Sequence, residues 1–363
     1  MRRRSDAILF YAVDLWVWFA HPKLTRWTFR LMKRLLAVPS VAYPLSMNDK
    51  MCWRKVFDRN PLFKVVCDKL TVRDWLKEVG ASVDGPRVVW VGDRADDIPE
   101  HVWEGNYVLK TSHACGTNHF TEDFRDRRDV AIAALNKSAA QEYGHSGYES
   151  GYFGIKGRVF AEDALKRDGL EEIKAYTFGP NVWRVFRSRT VGDIRNADSW
   201  ERDSAGALVQ LDADTAAGKG RLNEGPPPVW DFALEEASKL GAHFDQARVD
   251  FLYDGETLWF SEMTLFNQGG FIHRRGHEVS EEAVGLWDLR ESWAWKNPPK
   301  QGWKAYYFRR LRAAMEEGED YSGSRNWLVG AALKLRWRTT RGLKGLEKRL
   351  LRRGRRGPPA PGT

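Results

Sequence analysis

The stretch Arg248-Val249-Asp250-Phe251-Leu252-Tyr253, Asp254-Gly255-Glu256, Thr257-Leu258-Trp259-Phe260-Ser261-Glu262 points most directly to chemistry. Two alternating apolar runs flank a short Asp-Gly-Glu turn, which predicts a β-hairpin. With a three-residue loop from Asp254 to Glu256, Tyr253 pairs with Thr257 and Asp250 opposes Phe260. Glu262 then lies diagonally from Asp250 on one face, about 7 to 8 Å away at the backbone. Two carboxylates so placed suit Mg2+, a hard cation that takes one or two carboxylates and completes its shell with phosphate oxygens. Arg248 projects on the same face, because strand side chains alternate. A hairpin with a merely solvated charged face fits the same residues, so the pair alone does not decide.

Lys110 closes the apolar strand Asn106 to Lys110 and is followed at once by the turn-rich Thr111-Ser112-His113-Ala114-Cys115-Gly116-Thr117-Asn118. An ammonium at a strand end can reach a phosphate while loop N–H groups wrap the rest. Gly116 is the loop's one glycine, so this is no Walker loop, which needs GxxxxGK[ST]. His113 and His119, six residues apart, have no clear metal spacing.

Such residues need a mixed scaffold. Asp58 to Gly80 is helical in pattern, with Thr71 a possible cap. Val88 to Val91 reads as a buried strand between Pro86 and Gly92, and Arg158 to Ala161 as another. Ile173 to Phe178 and Trp183 to Phe186 flank Gly179-Pro180-Asn181 as a hairpin. The region from Asn196 to Pro228 reads as a long loop, and Trp230 to Ala242 as an amphipathic helix.

At 363 residues, with 42% hydrophobic and 29% charged content, the chain has the composition of a globular protein and leaves no room for collagenous or low-complexity readings. Its net charge of +9 is local: Lys334 to Arg356 holds eleven Lys and Arg against Glu347, leaving 47 Lys and Arg against 48 Asp and Glu elsewhere. Basicity confined to a tail argues against a specific nucleic-acid surface and leaves two readings, a solvated, partly disordered tail or an amphipathic segment whose expected partner is anionic lipid headgroups. Three cysteines, Cys52, Cys67 and Cys115, make no CxxC pair, which disfavours a thiolate zinc site and fits a reducing compartment. The apolar run Ala7 to Ala20 is broken by Asp14 and is shorter than the ~20 residues that span a bilayer. It reads as a helix packed on the body or lying in a membrane interface.

Taken in order, Pro44-Leu45-Ser46-Met47-Asn48-Asp49-Lys50, Asp58-Arg59-Asn60-Pro61-Leu62, Cys67-Asp68-Lys69-Leu70-Thr71-Val72-Arg73, Tyr107-Val108-Leu109-Lys110-Thr111-Ser112-His113, Val159-Phe160-Ala161-Glu162-Asp163-Ala164-Leu165 and Arg248-Val249-Asp250 with Phe260-Ser261-Glu262-Met263-Thr264 resemble the TupA-like branch of the ATP-grasp superfamily. That branch is associated with teichuronopeptide and other cell-surface polysaccharide biosynthesis. The resemblance runs from about Tyr43 to Phe271. It implies an α/β fold in which two α+β subdomains hold ATP between them. It implies that Lys69 and Lys110 hold the nucleotide phosphates, with His113 and Gly116 of the loop as further nucleotide contacts. Glu162 and neighbouring Asp163 match the adenine-binding hinge. Arg248 matches the arginine beside the transferred phosphoryl group, and Asp250, Glu262 and Thr264 match the Mg2+ ligands. Thr264 stands where most of the superfamily has Asn, and Ala114-Cys115 where relatives usually show Gly-Ser. Lys174 and Arg187, on and after the arms of the first hairpin, are candidate clamps for a substrate carboxylate.

The expected organisation is an apolar and basic segment at 1–42, the first part of the ATP-grasp region at 43–105, its nucleotide- and metal-binding core at 106–275, a helical extension at 276–333 and a basic tail at 334–363. The expected activity is that of an ATP- and Mg2+-dependent carboxylate-amine ligase forming an acyl phosphate in surface-polysaccharide biosynthesis. Its expected location is cytoplasmic, at the inner face of the membrane, and its acid and amine substrates are expected to be glycan- or amino-acid-linked. Two rivals stand beside it. One is a glycosyltransferase-type enzyme, for which Trp287, Trp293, Trp295 and Trp303 could stack on sugars; the other is a non-catalytic ATP-grasp binding module.

Overall fold

The computed structural model describes residues 4–31, 39–116, 118–211, 220–270, 281–319 and 321. The basic segment Lys334 to Arg356 lies outside them. The chain divides into two compact units, residues 1–45 with 309–363, and residues 46–308.

In the first unit the apolar run forms the helix Arg4–Ala20, followed by Pro22–Leu31. Phe10, Val13, Val17 and Trp18 are buried. Asp14, which interrupts the run in sequence, is buried too, and its carboxylate accepts from Ala42 N at 2.8 Å. Among the described residues no helix is long and apolar enough to cross a membrane.

The second unit contains the site. A capping box between Ser46 and Asp49 starts the helix Met47–Phe57, all eleven of whose residues are buried, Lys50, Arg54 and Lys55 included. These cations have internal partners: Arg54 meets Asp245 at 2.7 Å, and Lys50 Nζ donates to the carbonyls of Val284 and Trp287. The stretch from Asp58 to Gly80, helical in pattern, forms two helices, Leu62–Cys67 and Thr71–Glu78, the second starting at the expected cap Thr71. Asp68 causes the break, because its carboxylate accepts from Leu70 N at 2.8 Å and so competes with the helical ladder. The break presents Lys69.

Two antiparallel sheets follow. The smaller has the order β1 (Val88–Gly92), β4 (Val159–Asp163), β2 (Tyr107–Thr111), β3 (His119–Phe120). Val102, Trp103, Ala131 and Leu135 pack with Leu109, Val159 and Ala161 to form its core. The apolar β1 is an edge strand with Val91 40% exposed, not the buried strand its composition predicts. The larger sheet has the order β10 (Leu258–Thr264), β9 (Ala247–Tyr253), β5 (Glu171–Phe178), β6 (Asn181–Val191), β7 (Ile194–Arg202), β8 (Leu208–Gln210).

The helix Trp230–Gly241 buries Ala233, Ala237 and Leu240. At its end a Cβ on Gly241 would lie 2.4 Å from Thr177 Oγ1 and 2.8 Å from the Gly179 carbonyl, so glycine is what lets helix and strand meet. Strands β7 and β8 correct the long loop expected from Asn196 to Pro228. Ala197, Asp198 and Ser199 alternate poorly by hydropathy, yet all three are buried in the ladder between β6 and β8. Tertiary pairing decides there, not pattern.

Candidate active site

One face of the larger sheet carries three cross-strand rows. The register sets Glu262, Asp250, Lys174, Phe186 and Ser199 side by side, with Thr264, Arg248, Tyr176, Arg184 and Glu201 in the next row. Leu252, Glu172 and Ser188 form the row on the other side.

The hairpin reaches this arrangement differently from the expected register. Tyr253 pairs with Leu258, so the loop has four residues, which alone would send Asp250 and Glu262 to opposite faces. A bulge between Phe260 and Glu262 inserts Ser261 and restores the phase, making Glu262 the direct partner of Asp250.

Arg248 grips Asp250 with both Nε, at 2.6 Å, and Nη2, and reaches Thr264 Oγ1 at 3.0 Å. Lys174 Nζ is 3.5 Å from Asp250 and 3.3 Å from Glu172. Burial opposes the charge on Arg248, but the Asp250 carboxylate overrides it and holds the guanidinium above its ordinary range. Glu262 is about one-third exposed, with Oε1 3.4 Å from Thr264 Oγ1 and Oε2 3.8 Å from Lys69 Nζ. These donors are oxygens, two of them carboxylates, which suits Mg2+ completed by phosphate oxygens. Among the described residues no group of three or more His, Cys, Asp or Glu is placed to hold a metal unaided.

Lys69, Arg73, Lys110, Glu162 and Ser261 line one small cavity together with Pro86, Leu252 and Phe260. Lys69 and Lys110, far apart in sequence, are thus brought together. Lys69 Nζ donates to the Ala114 carbonyl at 2.7 Å, and Lys69 N to that of Ser112 at 2.8 Å, tying the helix break to the turn-rich loop. Glu162 is buried and divided between two cations: Oε1 takes Lys110, and Oε2 takes Arg73 Nη2 at 2.6 Å.

A cleft of about 620 Å³ opens between the sheets. Val108, Lys110, Glu162, Asp163 and Leu165 line it from the smaller sheet and its hinge, and Leu252, Glu172, Ser188 and Arg195 from the larger. Most of these side chains are polar or charged, with Val108, Leu165 and Leu252 as apolar surface between them, a lining suited to a polar, charged ligand. Asp163, at its rim, is held by Arg87 at 3.1 and 3.2 Å.

Other residues fall elsewhere. His113 is wholly buried with Nε2 2.9 Å from the Gln141 carbonyl, an interior prop beneath the loop. Gly116 has φ of +71°, whereas Ala114 and Cys115 are outside the left-handed region. The two departures from Gly-Ser therefore fall where the backbone does not require glycine. Arg187 projects from the face opposite Lys174, since it pairs across from Ile173, and it is bound by Glu171 at 2.6 and 2.8 Å and by Glu224 at 2.9 Å. Arg184, two strands from Arg248 in the same row, is on the site face in its place. Sequence reasoning gave no role to Arg73, although its position four residues after Lys69 was a usable signal.

Trp287 and Trp295 are buried, and Trp287 Nε1 donates to Asp245 at 2.7 Å, so they serve the core; Trp303 is 45% exposed.

The sequence family described as TupA-like ATPgrasp matches residues 49–285, running past Phe271, where the motif resemblance ends. No curated protein matches the chain. Similar solved structures include the ATP-grasp ligase PsnB complexed with minimal precursor, at 12% identity, 62% of each chain and a TM-score of 0.35. Others are D-alanine-D-alanine ligase from Helicobacter pylori, at 12% identity, 67% of this chain, 70% of that one and 0.36, and N5-carboxyaminoimidazole ribonucleotide synthetase from Thermus thermophilus, at 18%, 65%, 50% and 0.32. The chain spans less than two thirds of the length of PsnB. The family match covers well over half of the chain and includes every residue of the cavity and of the two carboxylate strands: the fold is ATP-grasp, and the chain belongs to the TupA-like ATP-grasp family.

Proposed function

We propose that the protein is an ATP-dependent, ADP-forming carboxylate-amine ligase that works through an acyl phosphate in cell-surface polysaccharide biosynthesis. The observation that carries this reading is the convergence of Lys69, Lys110 and Glu162 on one cavity, whose wall residue Ser261 immediately precedes Glu262, the partner of Asp250. Cations for phosphates, an acceptor for the adenine amino group and oxygen ligands for a hard metal are thereby adjacent.

In this reading Lys69 and Lys110 offset the phosphate charges, and Glu162 accepts from the adenine edge with Asp163 at the rim. Asp250, Glu262 and Thr264 would hold Mg2+, which when bound offsets charge on the transferring phosphoryl oxygens. Arg248 and Lys174 orient the carboxylate of the acid. That carboxylate forms a bond to the γ-phosphorus as the bond to the ADP oxygen breaks; the amine then attacks the acyl carbon, phosphate leaves and the amide forms. Arg187 has no part in these steps. The same proposal places the enzyme in the cytoplasm, held at the anionic inner membrane face by residues 334–356, near glycan- or amino-acid-linked substrates.

The test is product analysis with pools of acids and amines. ADP and phosphate should appear only with Mg2+, an acid and an amine together, and hydroxylamine in place of the amine should trap a hydroxamate. Release of AMP and pyrophosphate would mean adenylation and would overturn the mechanism. ATP binding with no turnover in any mixture would favour the non-catalytic module.

A further inference from the structure

We propose that Arg73 is a specificity-determining residue, which fixes Glu162 as a charged acceptor facing the purine and so makes the site take adenine nucleotides in preference to guanine nucleotides. The inference rests on the nucleotide site proposed above and assigns a role to a residue outside its phosphate, hinge and metal groups.

Glu162 holds two cations of unequal anchorage. Lys110 meets it through one ion pair at the end of a flexible stem. Arg73 is fixed from three sides: Nη2 to Glu162 at 2.6 Å, Nη1 to the Pro86 carbonyl at 2.7 Å and Nε to the Lys69 carbonyl at 3.3 Å. Its seat is shaped for it, because a Cβ on Gly85 would lie 2.9 Å from both Nη1 and Nη2. When nucleotide phosphates compete for cations, Lys110 is the one that can leave, while Arg73 is retained by two backbone carbonyls. Departure of Lys110 opens Glu162 Oε1 and leaves Oε2 clamped.

A carboxylate held in that way keeps its other oxygen turned to the purine, where it accepts from the 6-amino group of adenine. Guanine presents a carbonyl oxygen at that position, so it would set a second acceptor against the buried carboxylate. Without Arg73 the buried Glu162 loses the contact that fixes Oε2, and its carboxylate can turn away from the base. Discrimination thus depends on Arg73 although it need not touch the base.

The experiment is isothermal titration of the full chain with Mg2+ and non-hydrolysable ATP and GTP analogues, on wild type, Arg73→Met and Arg73→Lys, with thermal melting alongside. Arg73→Met should cut the ATP-to-GTP affinity ratio about tenfold or more, and Arg73→Lys should restore part of it. Gly85→Ala keeps both charges but crowds the guanidinium, and should lower the same ratio, which covers the case in which Arg73→Met fails to fold. If wild type prefers ATP and folded Arg73→Met weakens both nucleotides equally, this inference alone is overturned. Wild type binding neither nucleotide would overturn the site reading itself.

Discussion

Replacing Lys110 by alanine tests the phosphate site, and the structure bounds the effect from both sides. A charge-assisted hydrogen bond to a phosphate contributes about 1.5 to 3 kcal/mol. In the structure, however, Lys110 is paired with Glu162 and its side chain is only 16% exposed, so engaging a phosphate must first break that contact. Arg73 stays on the other carboxylate oxygen, which keeps Glu162 from being stranded and limits the cost of release to about 1 kcal/mol. The net loss in Lys110→Ala is then about 0.5 to 2 kcal/mol, or roughly two- to thirtyfold in Kd. Titration of a non-hydrolysable ATP analogue with Mg2+ reads this directly, and the melting temperature should move little because the Arg73 pair persists. A Kd within twofold of wild type, in a protein that melts normally, would refute the assignment of Lys110 to the phosphates.

Glu262→Gln should abolish hydroxamate formation and leave far-UV circular dichroism and melting unchanged, because this carboxylate is about one-third exposed and its partners Lys69, Arg248 and Thr264 are polar. Gly241→Ala should destabilise by about 1 to 3 kcal/mol, since its methyl would meet Thr177 and the Gly179 carbonyl, and differential scanning calorimetry would register the loss. Burial pushes the Glu149 carboxyl up from 4.5 to about 7, so the folded state holds a proton that the unfolded chain has released. Its contribution is therefore present below pH 4.5 and lost as pH rises toward 7. Glu149→Gln should gain about 2 to 3 kcal/mol relative to wild type between pH 4.5 and 8 in denaturant titrations, and an unchanged difference would remove the effect. Truncation after Gly330 should abolish low-salt binding to vesicles containing anionic lipid, at about 1 kcal/mol per cation removed, while binding to neutral vesicles stays absent.

Much of this site was legible because each of its groups sits in a short motif whose local structure is strongly determined. Strands β2, β4, β9 and β10 were predicted from apolar runs, and they carry Lys110, Glu162, Asp250 and Glu262. The carboxylates were expected on one face and are found there, but through a four-residue loop and a bulge in place of a three-residue loop. Two shifts of one residue add to two, which restores the face while making Glu262 the direct rather than the diagonal neighbour of Asp250, and alternation alone cannot tell that from no shift at all. Arg187 shows the opposite case. Its distance along the chain from Lys174 says nothing about phase across a hairpin, and the register sends it to the far face, where Glu171 and Glu224 bind it. Strand β7 was illegible for a third reason: its buried Asp198 is stabilised by a partner on another segment, Arg221 at 3.4 Å, which no local window contains.

The same register explains why the site is built from alternating charges. Arg195, Glu172, Lys174, Asp250, Arg248, Glu262 and Lys69 follow one another as successive ion-pair partners, with Lys110, Glu162 and Arg73 beside them. A cluster of bare cations prepared for a triphosphate would repel itself and destabilise the free protein. Interleaved carboxylates remove that repulsion, and under the proposed function each marks a place where a ligand would substitute for an internal partner: a phosphate for Glu162 at Lys110, a substrate carboxylate for Asp250 at Lys174. Binding then becomes an exchange of partners on a scaffold already in position, which keeps the reorganisation small. It also makes the anchored members of the network, Arg73 and Arg248 with their several fixed contacts, the ones that set geometry, while the lysines move.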